Sequence, residues 1–327
     1  RTQVGLYRYT DAQMITTAVI PVTYQGASTQ VTEATGQPCP DLVLPNEADW
    51  AYMKISLDPV SLASAREHIN DIANATTRLM LWQSLWDSVQ DSKLALSDYI
   101  SFVLQNAGAE TDDNVLRLIT GNIGSAVSYL KLFDAQDNQQ AALEAKVFQQ
   151  LQQATPASEA QKIWLDQLLG LAFSPDGLAY LHDLLNGVTT LEGLPIDQDK
   201  RWSIIRTFNR YHYADYEALL ASERERDPSD QGVNMAIASE VIRPDAAVKA
   251  HWLNLIISQP DSYKLATMRI IMGSLYPAEQ HALEQASAEL ILAAIPDINA
   301  HASQEYLGEF TSYMGTATCT EQSVARL

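Results

Sequence analysis

A change of periodicity near residue 58 constrains this 327-residue chain more than any other feature of its sequence. Before it, short runs rich in Val, Ile, Thr and Tyr are separated by turn residues. Residues 3–9 and 14–24 read as strands around the turn signal Thr10-Asp11, and Gly26-Ala27-Ser28 marks a second turn before residues 30–32. Pro38 and Pro40 bracket Cys39 and break the run. Residues 41–44 and 51–57 read as two further strands around Pro45-Asn46-Glu47. Five short strands at this spacing predict a small β-sandwich, or the trailing part of one, over residues 1–58.

After Asp58-Pro59 the apolar spacing becomes helical and stays so. Leu81, Trp82, Leu85, Trp86 and Val89 form one broad stripe. Ser97 and Asp98 predict the start of the next helix. Further helices are expected over 115–133, 139–153, 158–173, 175–185, 199–211, 216–226, 228–242, 244–258, 262–272 and 277–295. Ser174-Pro175 and Asp227-Pro228 act as start signals, since proline suits the first turn. Consecutive short amphipathic helices joined by short polar loops predict a mainly α architecture over residues 59–327. An irregular HEAT- or armadillo-like α-solenoid is favoured over a compact bundle, because a dozen helices rarely close around one core.

Charge and composition narrow the function classes. A formal charge of −19 argues against a nucleic-acid groove or an anionic membrane surface, because both select clustered cations. With only two cysteines, Cys39 and Cys319, neither a disulfide scaffold nor a Cys-rich zinc module is expected. Low cysteine use favours a reducing compartment such as the cytoplasm. No apolar run is long enough to span a bilayer. The opening at Arg1, strand-like and without an initiator Met, reads as a cut piece of a longer protein.

Catalytic signatures are scarce. The six histidines, at 68, 182, 212, 251, 281 and 301, include no pair four residues apart, so no H-E-x-x-H zinc helix is present. His281 and Glu284 share a helix face without a third ligand nearby. There is no G-x-S-x-G elbow, P-loop or dinucleotide fingerprint. Cys39 and Cys319 are expected to be unreactive thiols.

One local exception to the acidic background is Lys200-Arg201-Trp202 with Arg206 and Arg210, four of 21 basic residues within one short stretch. Arg206 and Arg210 fall on one helix face, where paired guanidiniums could bind the carboxylate of a peptide. The alternative is that Arg201 pairs with Asp197 or Asp199 and the others decorate a solvated face. Tyr211-His212-Tyr213 with Tyr216 forms an aromatic cluster at a helix junction, expected to be packing.

Several stretches, taken in order, carry a resemblance. In residues 44–58, Asn46, Tyr52, Lys54 and Asp58 resemble the handover from the β-sandwich domain to the helical C-terminal domain in the aminopeptidase N family of zinc metallopeptidases. Lys54 stands where arginine is common there. Residues 78–87, the acidic stop Asp91 and residues 94–99 are similar to an early helical-domain motif. Leu194-Pro195-Ile196-Asp197 leading to Arg201-Trp202, then Arg226-Asp227-Pro228-Ser229, resemble a second and a third. Ile242-Arg243-Pro244-Asp245 with Lys249 and Trp252 resembles a fourth. The resemblance is greatest to bacterial alanyl- or lysyl-type members.

That resemblance implies a division of labour. The family's zinc ligands and exopeptidase loop precede the β-sandwich, so no catalytic or metal-binding residue is carried over to this chain. It implies zinc in the full-length enzyme, an N-terminal catalytic domain of the same polypeptide as partner, and peptides as substrates. The helical part would form a bowl over that active site. A stand-alone α-solenoid that binds proteins or peptides without chemistry is the alternative.

Overall fold

The computed structural model describes residues 1–132, 138–315, 321 and 325. Within them are fourteen α-helices and one three-stranded antiparallel sheet, so the protein is mainly helical. The chain divides into two compact units, residues 1–126 with 141–164, and residues 127–140 with 165–327.

The first unit opens with β1 (Thr2–Thr10), β2 (Gln13–Val22) and β3 (Leu42–Leu44), in the spatial order β2-β1-β3. Thr10 pairs with Gln13, and both Asp11 and Ala12 between them have positive φ, as a tight two-residue hairpin requires. Alternation puts Val4, Leu6, Ile20 and Val22 on the buried face, where Val31 and Val43 pack. A register shift between Leu6 and Tyr7 re-aims Tyr7, whose hydroxyl donates to Glu47 at 2.6 Å. Burial, aided by that carboxylate, pushes the Tyr7 phenol up to about 12. Gly5 lies against the same Glu47 side chain, leaving no room for a Cβ.

Two expected strands do not form among the described residues. Residues 30–32 lead into a single 3-10 turn, Thr32–Ala34, although Val31 still contributes to the sheet's core. Residues 51–57 join no ladder because Asn46 satisfies the peptide groups at their start. Its fully buried side chain accepts from the Ala51 amide at 2.9 Å and donates to the Ala51 carbonyl at 2.7 Å. The Thr2 hydroxyl closes this clamp at 2.6 Å.

Asp58 then starts the helices. Its carboxylate accepts from the amides of Val60 and Ser61, with Pro59 in the first turn of α1 (Pro59–His68). The following helices are α2 (Ala75–Gln90), α3 (Leu96–Asn106), α4 (Asp113–Leu132), α5 (Asn138–Gln153) and α6 (Glu159–Leu171). The boundary between the units falls within α4, α5 and α6. Helix α3 starts before the expected Ser97, with Ala95 at its N-cap position. Phe133, expected to end the fourth helix, lies outside the described residues.

In the second unit, α7 (Pro175–Leu185), α8 (Gln198–Tyr211), α9 (Tyr216–Arg226), α10 (Asp230–Val241), α11 (Ala246–Ser258), α12 (Leu265–Leu275), α13 (His281–His301) and α14 (Gln304–Met314) follow. Ser174 caps α7 as the proline signal predicts. Asp227-Pro228 does not open α10; Ser229 caps it instead. Asp227 is occupied elsewhere, accepting from Ser229 and from the Trp202 indole. Helix α13 runs through Pro296, past the expected stop at Ile295, and α14 is an additional helix. Trp252, Ile256, Ile271, Leu275, Ile298 and Phe310 form part of this unit's core.

Candidate functional site

The basic run lies on α8, and its members separate into paired and unpaired groups. Asp197 caps the helix by accepting from the Lys200 amide, and its carboxylate also takes the Lys200 ammonium. Arg201 pairs with neither Asp197 nor Asp199. It binds Glu223 on α9 through Nε at 2.9 Å and Nη2 at 2.6 Å, and reaches the Leu185 carbonyl. Glu223 is almost fully buried; burial acts to raise its pKa, but Arg201 and Gln198 hold the carboxylate low. Asp199 accepts from Gln231.

Arg206 and Arg210, one turn apart, face the segment around the end of α12. Arg210 is bound by Glu279 through Nε and Nη2. Lys131 Nζ lies 3.5 Å from the same carboxylate and donates to the Tyr211 hydroxyl at 3.0 Å. The Tyr211 ring also lies 5.6 Å from the Arg210 guanidinium. Burial works against charge on Glu279, yet Arg210 and Lys131 bring its carboxyl down to about 2. Burial also opposes the Arg210 charge, and its hydrogen bonds to Glu279 more than compensate.

Arg206 is less well served. Its Nη2 reaches Ser274 Oγ at 3.3 Å, while its buried Nε has no hydrogen-bond partner. Burial first, and the neighbouring Arg210 second, lower its pKa. Lys249 on α11 adds a further cation nearby, donating to the Val241 carbonyl at 2.8 Å beneath the Tyr276 ring. Burial pushes Lys249 down to about 7, with Glu279 and Asp245 pulling the other way. The sequence singled out Arg206 and Arg210 but not Lys131, Ser274 or Glu279, whose separation in the chain gives no local signal.

Of the aromatic cluster, Tyr211 belongs to this site, and the other members contact neighbouring rings. His212, in the left-handed conformation that ends α8, stacks on Tyr216 and contacts Asp245 at 3.0 Å. Tyr213 packs against Phe208. Elsewhere, a groove of about 490 Å³ in the first unit is lined by Tyr7, Met14, Asn70 and Asn74. A second, of about 380 Å³, holds His68, stacked on Tyr9 and bonded to Asp71 at 3.1 Å. Among the described residues no group of three or more His, Cys, Asp or Glu could hold a metal ion, and His281 Nδ1 faces the Ala278 carbonyl. Cys39 is an exposed free thiol, and Cys319 lies outside the described residues. No helix among the described residues is long and apolar enough to cross a membrane.

Two pairs of the stretches that carried the family resemblance hold each other, and the fourth binds α8 outside them. Lys54 binds Asp91 at 2.6 Å, joining the handover segment to the early helical motif. The Trp202 indole donates to Asp227 at 2.7 Å, joining the second motif to the third. In the fourth, Arg243 donates to Asn209 at 2.8 Å. A family model for the ERAP1-like C-terminal domain matches residues 42–327. The chain belongs to that family. It is also 28% identical, over 284 residues, to a protein named Aminopeptidase N from Streptomyces lividans. That alignment covers 86% of this chain and 32% of the relative, so the chain spans about a third of the relative's length. It thus corresponds to the C-terminal part of the aminopeptidase N family.

Proposed function

We propose that this chain is the non-catalytic C-terminal region of a zinc-dependent aminopeptidase that removes N-terminal residues from peptides. The family match over residues 42–327 carries the reading, and the aminopeptidase N relative supports it. In this reading residues 1–58 complete a β-sandwich domain and residues 59–327 form a HEAT- or armadillo-like helical domain. That domain is a bowl over the active site of the N-terminal catalytic domain of the same polypeptide. It limits access to peptides and shields the reaction from bulk water. Zinc belongs to the catalytic domain; the described donor residues here do not fit a metal ion, and none is assigned to it.

Arg206 and Arg210 are proposed to meet the peptide's carboxylate. Arg206 is the stronger candidate, because its guanidinium retains an unpartnered nitrogen while Arg210 is bound by Glu279. The decisive assay compares the purified chain with the full-length polypeptide on an aminoacyl-arylamide. We expect turnover only by the longer protein, abolished by chelation and restored by zinc. Metal-dependent turnover by this chain alone would overturn the reading. A full-length polypeptide without peptidase activity would instead favour a peptide- or protein-binding scaffold.

A further inference from the structure

The segment between the Asn46 clamp and the Asp58 cap is fixed at several points, yet it turns its largest side chains outward. Asn46 fixes Ala51, Lys54 is tied to Asp91, and the Ile55 carbonyl accepts from buried Ser84 at 3.2 Å. Between these ties Trp50 is 64% exposed, Tyr52 is fully exposed and Met53 is 38% exposed. The other five tryptophans, at 82, 86, 164, 202 and 252, are all buried. Three exposed apolar or aromatic side chains within four residues of a pinned segment are of the types enriched at interface centres.

We propose that Trp50, Tyr52 and Met53 form a docking surface for the part of the same polypeptide that precedes this chain. The proposal rests on the reading above, in which a longer polypeptide exists. One observation favours that occupant. The chain spans only 32% of its relative, so a large partner surface is left to place. Residues 1–41 do not cover them. The same surface accounts for the strand-like composition of residues 51–57, which finds no strand partner among the described residues.

Trp50 supplies its own probe. In the full-length polypeptide, acrylamide quenching of the wild type minus the Trp50→Phe variant isolates this one indole. We expect its quenching constant to be about fivefold below that of a free tryptophan amide, as for a side chain in an interface core. Tyr52→Asp should restore quenching while the far-ultraviolet dichroism stays unchanged. An indole quenched like the free amide in the wild-type polypeptide would overturn the proposal. So would protection that disappears on dilution together with a dimer, since the occupant would then be a second copy. Peptidase activity, measured in the same samples, reports separately on the functional reading. An active zinc enzyme with an open Trp50 refutes only the docking surface, whereas an inactive one with a protected Trp50 refutes only the activity.

Discussion

Two arginine–glutamate pairs in this molecule, one buried and one partly buried, are built alike and completed differently. In the first unit Arg78 binds Glu110 through Nε at 2.8 Å and Nη2 at 2.7 Å. Its remaining nitrogen donates to the carbonyls of Ile72 and Ala73, and Glu110 also accepts from the amides of Thr111 and Asp112. Despite complete burial, which acts to raise its pKa, the Glu110 carboxyl is held low by these donors. In the second unit Arg210 and Glu279 make the same fork, but Arg206 stands one turn away with its Nε unsatisfied. A closed network is a structural fastening; an open one retains capacity for a ligand.

Breaking the closed network should produce the largest effect. Arg78→Ala leaves Glu110 buried without its counter-charge and should cost about 3–5 kcal/mol of unfolding free energy. Urea unfolding of the variant measures this; a loss below about 1 kcal/mol would mean that solvent reaches Glu110 and the network is not closed. Glu279→Gln should cost less, about 2–3 kcal/mol at neutral pH, because an amide oxygen can still accept from Arg210. The pH dependence fixes the sign. With a folded pKa near 2, below the ordinary value of 4.5, Glu279 stabilises above the unfolded pKa. That contribution is lost as pH falls from about 4.5 to about 2, and the wild-type-minus-variant difference should shrink over that window.

Legibility from sequence follows the same division between local and distant partners. The helical region was readable because periodicity is local, and Asp58 with Pro59 announces α1 within three residues. Residues 51–57 misled because strand composition does not reveal that Asn46 captures the peptide groups of Ala51. Arg206 and Arg210 stood out as two cations one turn apart. Glu279, 69 residues beyond Arg210, did not, and only the folded chain separates the bound arginine from the open one. The alternative pairing of Arg201 with Asp197 or Asp199 fails for a similar reason: the aspartates are near in sequence, but buried Glu223 offers the better fork.

Lys249 extends the comparison to a cation whose burial is only partly offset. It faces Tyr276, Glu279, Asp245 and Arg210. Its folded pKa of about 7 lies below the unfolded value of 10.5, so the unfolded chain binds more protons between the two. Stability from this group should therefore rise as pH increases from about 7 towards 10. Chemical denaturation at pH 7 and pH 9.5 should show a gain on the order of 1–2 kcal/mol that Lys249→Met lacks. An identical pH response in the variant would place the charge in contact with water.

Arg206 provides the finest test, because its stability and binding effects should diverge. Replacing it with glutamine removes a half-buried cation repelled by Arg210, so stability should change by no more than about 0.5 kcal/mol in either direction. Arg210→Gln should behave oppositely in this respect, since it strands Glu279. In the full-length aminopeptidase proposed above, Arg206→Gln should raise KM about three- to tenfold for a peptide with a free carboxylate, a loss of about 1 kcal/mol. The same peptide as its C-terminal amide, and a single-residue arylamide, should be almost unaffected. Equal effects on acid and amide would remove the carboxylate contact. A large loss of stability instead would show Arg206 to be as structural as Arg78, and the contrast between the two networks would fail.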